Sequence, residues 1–332
     1  MPPRANAALP DGAEPVITLR NVTRRFAAFT AVDDVSMDIV RGEVFGLIGH
    51  NGAGKSTLFK MMLGLLAVSS GDIRISGAPV AGSGARAVRR HIGYLPENVA
   101  LWDNLTGLET LHFFARLKRI DKAECQPLLE RVGLGHAGKR PVRAYSKGMR
   151  QRLGFAQALL GKPQVLFLDE PTTGLDPHAI DFFWDTLAEL RDQGLTIVLT
   201  SHILAELQNR VDRVAVLTNG KVQALGSVEA LRDMHDLPII VQLQLSPQMA
   251  PAQRDALLAS LPPQLAALPV ERQVNGLQFS VPRASKLPLL QQVMAWNGAV
   301  QDIQVSEPSL EDMFFGKSQA PVRQTAATGK EA

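Results

Sequence analysis

The clearest regular pattern in the chain is a set of short β-prone runs, each ending at a glycine-rich or polar segment. Val44–Ile48 and Val165–Leu168 are continuously apolar, and Thr196–Ser201 is rich in β-branched residues. Unbroken hydrophobicity is typical of parallel strands that are covered on both faces. These runs therefore predict an α/β domain built around a parallel sheet.

Other stretches place further elements around that sheet. β-prone pieces within residues 16–47 and 70–95 predict an antiparallel sheet that flanks it. From about residue 98 to 150 the pattern becomes helical, because apolar residues recur every three or four positions. We expect this segment to form a helical subdomain within a first domain that spans residues 16–235.

After about residue 235 the chain predicts a second, smaller α+β domain, which we place at residues 236–316. The predicted elements are a strand at 239–245, a helix at 251–261, strands at 278–281 and 300–305, and a helix at 286–296. A β-α-β-β-α-β order would make this domain ferredoxin-like. The proline-containing leader, residues 1–15, and the small, polar tail, residues 317–332, are predicted to be disordered.

Composition narrows the class of protein. The chain has 332 residues, 45% of them hydrophobic, which is enough for two domains, and no apolar run approaches the roughly 18–20 residues of a membrane-spanning helix. Cys125 is the single cysteine, so an internal disulfide and a multi-cysteine metal site are excluded. The N-terminus lacks the apolar core of a secretory signal, and we expect a cytoplasmic protein. Basic residues cluster with only Tyr145 as an aromatic neighbour, so we expect no nucleic-acid partner.

The segment after the first apolar run carries the strongest chemical signal. It has the form G-x-x-x-x-G-K-[ST] and consists of Gly49, His50, Asn51, Gly52, Ala53, Gly54, Lys55 and Ser56. Glycines let backbone N–H groups converge on an anion, and the helix that begins near Thr57 directs its positive end at it. Lys55 can reach the outer phosphates and Ser56 can bind Mg²⁺. The motif predicts a nucleoside triphosphate site.

Two later strand ends supply the remaining chemistry. Asp169 and Glu170 follow Val165–Leu168, and the carboxyl end of such a strand delivers them to the ligand crevice of an α/β sheet. Asp169 is placed to hold Mg²⁺, and Glu170 to orient the attacking water or accept its proton. His202 ends the β-rich run and can donate a hydrogen bond to the γ-phosphate.

In combination these motifs resemble those of ATP-binding-cassette (ABC) ATPases over about residues 16–235. Tyr145–Arg152 resembles the family signature, Gly174-Leu175-Asp176 its D-loop, and His202 its switch histidine. The resemblance implies a cassette fold with a RecA-like parallel core, ATP and Mg²⁺ as cofactors, and a homodimer that sandwiches each ATP. It also implies that Ser146 and Gly148 contact the γ-phosphate on the other subunit. Phe26 takes the place of the aromatic that stacks on adenine, and Asp176 belongs to the nucleotide interface.

Three positions depart from the family pattern. Lys147 and Met149 replace a glycine and a glutamine of the signature, and a lysine near phosphates adds favourable charge. Glu97 stands where the family has a glutamine that senses the metal and contacts the membrane partner. A glutamate accepts hydrogen bonds but donates none when ionised, so its part in metal binding is the weaker assignment.

The resemblance further implies a separate membrane permease, with this chain attached to its cytoplasmic side. The residues predicted to line the permease groove, with packed core as the plain alternative, are Leu101, Trp102, Leu105, Phe113 and Phe114. Residues 94–102, 111–118 and 145–153 resemble the NosF ATPases, which serve assembly of the copper centres of nitrous-oxide reductase alongside a periplasmic accessory protein. Nothing in the chain itself has copper-ligand spacing. The alternatives are another exporter, for drugs, lipids or polysaccharides, and a mechanical regulator without cargo.

Overall fold

The computed structural model describes residues 14–202, 206–207, 210–234, 238–296 and 298–306, in two compact units that divide after Leu231. Nearly all of the leader predicted for residues 1–15, and the whole tail predicted for 317–332, lie outside the described residues. None of the helices described is long and apolar enough to cross a membrane.

The first unit contains two sheets and the helices that pack on them. Its strands are β1 (Pro15–Phe26), β2 (Phe29–Val40), β3 (Val44–Ile48), β4 (Ser70–Ile75), β5 (Ala78–Pro79), β6 (Ile92–Leu95), β7 (Val165–Asp169), β8 (Thr196–Ser201), β9 (Arg213–Thr218) and β10 (Lys221–Gly226). Its helices are α1 (Lys55–Met62), α2 (Ala85–Arg90), α3 (Gly107–Lys118), α4 (Cys125–Arg131), α5 (Lys147–Leu159), α6 (Pro177–Asp192) and α7 (Val228–Met234), the last of which runs past the division.

The larger sheet has the strand order β10-β9-β3-β8-β7-β6. Every pair in it is parallel except β10 with β9. All residues of β3, β7 and β8 are buried, as the continuous apolar runs predict. Because β3 lies beside β8, and β8 beside β7, the carboxyl ends of the three motif-bearing strands meet at one edge of the sheet.

The smaller sheet is antiparallel, in the order β2-β1-β4-β5. It shares one hydrophobic core with the parallel sheet, in which Ile17 of β1 and Phe45 of β3 are fully buried. Phe59 of α1 packs edge-on against Phe167 of β7, with their ring centroids 5.3 Å apart. This aromatic contact fixes α1, and with it the phosphate-loop motif, against the strand that carries Asp169.

The segment between β6 and β7 is helical, as predicted. Thr106 caps α3 with a capping box, in which its side chain accepts from the Glu109 N–H and the Glu109 carboxylate accepts from the Thr106 N–H. α4 packs against α3 and contains the buried Cys125. α5 begins at Lys147 and leads back to the parallel sheet, where it packs beside β6.

The second unit has the β-α-β-β-α-β order of a ferredoxin-like domain, with one strand that was not among the predicted elements. Its elements are β11 (Ile239–Leu245), α8 (Pro251–Ala259), α9 (Pro263–Ala266), β12 (Val270–Gln273), β13 (Gly276–Val281), α10 (Lys286–Met294) and β14 (Val300–Ser306). They form an antiparallel sheet in the order β12-β13-β11-β14, which is the ferredoxin-like arrangement. Phe279 and Leu289 are among the residues of its separate hydrophobic core.

Candidate functional site

The loop between β3 and α1 has backbone geometry that only glycine accepts at two of its positions. A β-carbon on Gly49 would lie 2.9 Å from Cβ of Ala53 and would also clash with the backbone carbonyl of Leu217. Gly54 has φ of +103° and precedes α1, and a β-carbon there would lie 2.5 Å from the carbonyl oxygen of Ala31. These two glycines bring the loop against its neighbours and direct the first turn of α1 into the crevice.

Lys55, the first residue of α1, folds back over the loop that precedes it. Its ammonium donates to the carbonyl oxygens of Gly49 and His50, the second at 3.3 Å. The residue is only 7% exposed, and this burial lowers its pKa, while the charges of Glu170 and Asp169 partly oppose the shift. A phosphate anion would replace these neutral acceptors with charged ones, which strengthens the hydrogen bonds.

Asp169 and Glu170 are both fixed by one hydroxyl on the neighbouring strand. Thr200 of β8 pairs with Asp169 in register, and its Oγ1 donates to Oδ1 of Asp169 at 2.7 Å. The same oxygen accepts the backbone N–H of Glu170 at 2.9 Å. Thr200 was not predicted to have a role, although a polar residue near the end of a buried strand is a signal for one.

The two residues predicted to be catalytic contact each other directly. Nδ1 of His202 lies 2.8 Å from Oε2 of Glu170. Glu170 has a φ of +47°, a left-handed conformation that costs energy for a residue with a side chain. The side chain of Glu170 is 15% exposed and that of His202 is 46% exposed. The histidine therefore orients the carboxylate from its solvent side.

A cavity of about 390 Å³ lies in front of this pair, and most of the predicted nucleotide-binding residues line it. Its lining residues include His50, Asn51, Gly52, Gly54, Lys55, Ser56, Thr57, Glu97, Glu170 and His202. Thr173 and Phe29 also line it, and neither was predicted. Glu97 is exposed at the rim, so its side chain faces the solvent of the cavity. Gly49, Ala53 and Asp169 are not among the residues that line it.

The aromatic residue of the site differs from the expected one. Phe26, which was predicted to stack on adenine, is not among the described residues that line the cavity, and the guanidinium of Arg24 lies 4.5 Å from its ring centroid. Phe29, at the start of β2, lines the cavity instead and is 63% exposed. Both aromatics flank the same tight turn between β1 and β2, so a three-residue offset separates the expected from the observed position.

Ser146, Gly148 and Asp176 do not line this cavity. The Ser146 hydroxyl caps α5 by accepting the Met149 N–H at 3.2 Å, and Asp176 caps α6 by accepting the Ala179 N–H at 2.9 Å. Their assignments to nucleotide binding stay predictions. Because they do not line the cavity of their own chain, they would have to contact a nucleotide other than the one bound there.

The oxygen donors near Lys55 suit Mg²⁺. Ser56 presents a hydroxyl to the cavity, and Asp169 has one carboxylate oxygen bound by Thr200 and a second that no hydrogen bond to the described residues uses. A hydroxyl and a carboxylate are the hard oxygen ligands that Mg²⁺ takes beside phosphate and water. Among the described residues there is no group of three or more His, Cys, Asp or Glu that could hold a metal by protein ligands alone. This donor set fits a cation that is shared with a bound phosphate.

Comparison with known proteins agrees with this geometry. The family model described as ABC transporter matches residues 32–173. The uncharacterized ABC transporter ATP-binding protein YhcH of Bacillus subtilis is 36% identical over 90% of this chain and 95% of its own. The daunorubicin resistance ATP-binding protein DrrA3 of Streptomyces coeruleorubidus is 34% identical over 91% of this chain and 96% of its own. A solved structure described as an ATP-binding subunit of an ABC transporter superposes with a TM-score of 0.61 at 34% identity, over 66% of this chain and 92% of that one.

Some relatives are much longer proteins. The human phospholipid-transporting ATPase ABCA7 is 34% identical over 92% of this chain, but the chain spans only 15% of that protein.

Proposed function

Because this chain belongs to the ABC transporter family of ATP-binding proteins, we propose that two copies close on ATP and thereby drive a separate membrane permease that exports an amphipathic molecule. ATP binding with Mg²⁺ and hydrolysis coupled to transport are properties of this family. The proposal adds the dimer, the docking surface and the class of cargo. In this proposal the chain attaches to the cytoplasmic face of the membrane through its permease.

The hydrolytic step follows from the residues around the cavity. Lys55 would hold the outer phosphates. Ser56 and Asp169 would hold Mg²⁺, and the bound ion would supply neutralisation of the phosphate charge. The carboxylate of Glu170 accepts a hydrogen bond from the water that attacks the γ-phosphate and receives its proton. His202, 2.8 Å from that carboxylate, keeps it turned toward the cavity. Phosphoryl transfer needs this positioning more than covalent help from the protein.

The observation that carries the proposal is which of the motifs line the cavity. The phosphate loop, Glu170 and His202 line it, whereas Ser146 and Gly148 of the signature lie outside its lining. In a head-to-tail pair of chains, each signature segment would cover the cavity of the other chain. ATP then stabilises the closed pair, and hydrolysis opens it. The pair therefore alternates between two states, and this alternation drives the permease.

An exposed aromatic cluster supports docking to a permease. Trp102 and Phe113 stack edge-on with ring centroids 4.7 Å apart, and Phe114 lies 5.5 Å from Phe113. Trp102 is 48% exposed and Phe113 38% exposed, so these rings are not packed core. Exposed apolar clusters of this kind mark sites of protein association. Trp102 follows the cavity residue Glu97 by five positions in the chain.

The cargo is inferred from relatives. DrrA3 is described as a daunorubicin resistance protein, and its match extends through the second unit. We therefore favour an amphipathic, drug-like or lipid-like cargo. The resemblance of residues 94–102 and 145–153 to NosF keeps the copper centres of nitrous-oxide reductase, with a periplasmic accessory protein, as the second candidate.

The dimer is tested with Glu170→Gln, which removes the proton acceptor but retains ATP binding. We expect a stable, ATP-dependent dimer in ultracentrifugation and a loss of turnover of at least about a hundredfold. The matched control is Glu97→Gln, for which we expect ATPase activity within a few-fold of wild type. A variant at Glu170 that stays monomeric at saturating ATP, both alone and with the permease, would refute the sandwich.

The docking surface and cargo are tested in proteoliposomes that contain the chain and its permease. Trp102→Ala together with Phe113→Ala should abolish co-purification with the permease while leaving the ATPase activity of the isolated chain intact. Phe182→Ala, which removes an aromatic that is 40% exposed on α6, serves as the control. ATP-dependent movement of a fluorescent anthracycline would support the favoured cargo, and movement of copper or a sulfur species instead would support the second candidate.

A further inference from the structure

A second cavity of the first unit lies at the opposite ends of the parallel strands from the nucleotide cavity. It has a volume of about 550 Å³, and the described residues that line it are all different from those of the first cavity. Gln164 and Leu195, which line it, directly precede β7 and β8. Glu170 and His202, which line the nucleotide cavity, directly follow the same two strands. At about 3.3 Å per strand residue the two cavities are roughly 16–20 Å apart, so a molecule in the second would not touch the nucleotide.

The apolar walls of this second cavity come from two parts of the first unit. α4 contributes Pro127 and Leu128 from the helical segment between β6 and β7. The last turn of α6 and the turn to β8 contribute Leu190 and Leu195, and Leu159 is added by the end of α5. A largely apolar lining and a volume of a few hundred cubic ångströms are typical of sites for small organic ligands.

Three cationic side chains stand among these apolar residues. Arg131 of α4 reaches across to the end of α6, where its Nη2 lies 3.4 Å from Oε1 of Gln193 and 3.7 Å from Oε2 of Glu189. Arg41 and Lys162 also line the cavity, and both are exposed. Neither of these two makes a side-chain hydrogen bond or an ion pair with the described part of the chain. They are therefore available to an anion.

The acidic residue in the described lining does not neutralise these cations. Glu124 accepts the Gly161 N–H at 3.2 Å, and its charge acts on Lys118, which is not among the lining residues. Three cations against one carboxylate, which is already engaged, leave the cavity positively charged. An apolar cavity with this charge complements a molecule that has an apolar body and an anionic head.

We propose that the second cavity binds a small organic anion with an apolar body. Its head pairs with Arg41 and Lys162, and its body packs against Leu128 and Leu195. Such a ligand contacts both α4 and the turn after α6, the two parts that Arg131 already joins, and so holds the helical segment to the parallel sheet. The site does not depend on the ATP sandwich, because it lies at the other ends of the strands.

The first test titrates the full chain, without nucleotide, with sodium octanoate in a calorimeter. Three further probes separate the two parts of the ligand: acetate has the charge without the body, octanol the body without the charge, and octylammonium the opposite charge. We expect octanoate to bind at least about tenfold more tightly than each of them, since each lacks one favourable contribution. Octylammonium or octanol binding as tightly as octanoate would overturn the anionic part of the proposal, and equal binding of acetate the apolar part.

The cations are tested with the double variant Arg41→Gln and Lys162→Gln. We expect its octanoate dissociation constant to rise at least about tenfold, through loss of the charge-assisted contacts. The control is Lys139→Gln with Arg143→Gln, which removes the same charge from exposed residues outside the described lining. Its octanoate affinity should stay within about twofold of wild type, because salt screens distant charges. Equal weakening in the two double variants would show a general effect of charge and overturn the assignment.

The position of the ligand is tested by filling the cavity. Leu128→Trp places a large ring among the lining residues, and Leu117→Trp, at a residue of α3 that is 64% exposed, is the control. We expect only the first variant to lose octanoate binding, and both to bind a fluorescent ATP analogue as wild type does, which shows that they fold. Unchanged octanoate binding in Leu128→Trp would overturn the site. A chain that binds octanoate but does not dimerise with ATP would refute the sandwich alone.

Discussion

The hydroxyl of Thr200 joins β8 to β7 at the point where the acidic residues of the site begin. It donates to Asp169 at 2.7 Å and accepts the N–H of Glu170 at 2.9 Å. Thr200→Val keeps the shape of the side chain but removes both hydrogen bonds, and it leaves the Glu170 N–H without its partner. We expect a loss of about 1–3 kcal/mol in the free energy of unfolding. We also expect about a hundredfold lower kcat, because small misplacements of catalytic groups have effects of this size.

A matched control lies on the same strand. The Thr196 hydroxyl accepts the Gly42 N–H at 2.9 Å, away from the cavity. Thr196→Val should therefore lower the free energy of unfolding in urea and leave kcat of the isolated chain unchanged. Equal kcat values for the two variants would show that Thr200 is only structural.

Lys118 carries a charge that folding partly desolvates. Burial lowers its pKa to about 8, although Glu124 opposes the shift, and its ammonium donates to the carbonyl oxygens of Leu160 and Gln157 at 3.1 and 3.4 Å. An unfolded lysine titrates near 10.4, so between about pH 8 and 10 the unfolded chain binds more protons than the folded one. This residue therefore makes the protein more stable as the pH rises through that window.

The measurement compares urea unfolding of wild type and Lys118→Met at pH 7.5 and 9.5. We expect the wild type to gain stability relative to the variant at the higher pH. Burial raises the folded-state pKa of Tyr94 and Tyr145, but both residues are present in the two proteins, so their contribution cancels in the difference. A constant difference between the two proteins would contradict the assignment.

At the residue scale, the sequence predicts which residues carry the chemistry better than it predicts which residues contact each other. The strand ends and the phosphate-loop motif place Lys55, Glu170 and His202 in one crevice, because parallel strands align their carboxyl ends. The pairing of His202 with Glu170 depends on a left-handed backbone conformation at the end of a strand. No sequence pattern predicts that conformation. Phe29 lines the cavity, and Phe26 does not. Which of the two rings faces the cavity depends on a few residues in the turn between the two long strands.

Among the elements, a buried ion pair joins β9 to the turn between β2 and β3. Arg213 lies 3.2 Å from Glu43, and both are at most 9% exposed. Burial raises the pKa of Glu43, while the Val40 N–H and Arg213 oppose the shift. Arg213→Met leaves this carboxylate unpaired, and we expect a loss of about 3–5 kcal/mol in the free energy of unfolding at pH 7.

The pH dependence of the stability lost in Arg213→Met tests whether the unpaired charge of Glu43 causes the loss. Without Arg213 the folded-state pKa of Glu43 rises further above its unfolded value, so the folded state binds more protons and is favoured as the pH falls. The loss should therefore be smaller at pH 5 than at pH 7 in urea unfolding. Adding Glu43→Gln, whose amide oxygen can still accept the Val40 N–H, should restore much of the stability. The same loss at both pH values would point to packing instead of charge.

Strands whose residues are all buried could be predicted from the sequence, whereas β12, whose residues are all exposed, could not. β3 is apolar throughout, and β7 is apolar up to its last residue, Asp169, because both faces of the sheet are covered. β12, Val270–Gln273, was not predicted, since all four of its residues are exposed at a sheet edge and its sequence Val-Glu-Arg-Gln has no strand pattern. Its place comes from the hydrogen bonds that β13 offers, which is a property of the folded sheet and not of the segment.

For the whole molecule, two separate hydrophobic cores predict two unfolding transitions. Phe279 is fully buried in the core of the second unit, and Phe279→Ala should cost that unit about 3–5 kcal/mol. In calorimetry we expect its transition to fall by roughly 10 °C or more, while the other transition stays in place. ATP with Mg²⁺ should raise only the first unit's transition, by about 2.7 kcal/mol of added stability at a hundred times the dissociation constant. Phe167→Ala, in the core of the first unit, is the control and should reverse the pattern. A single transition that both substitutions lower together would show that the units unfold as one, because neither core would then be stable without the other.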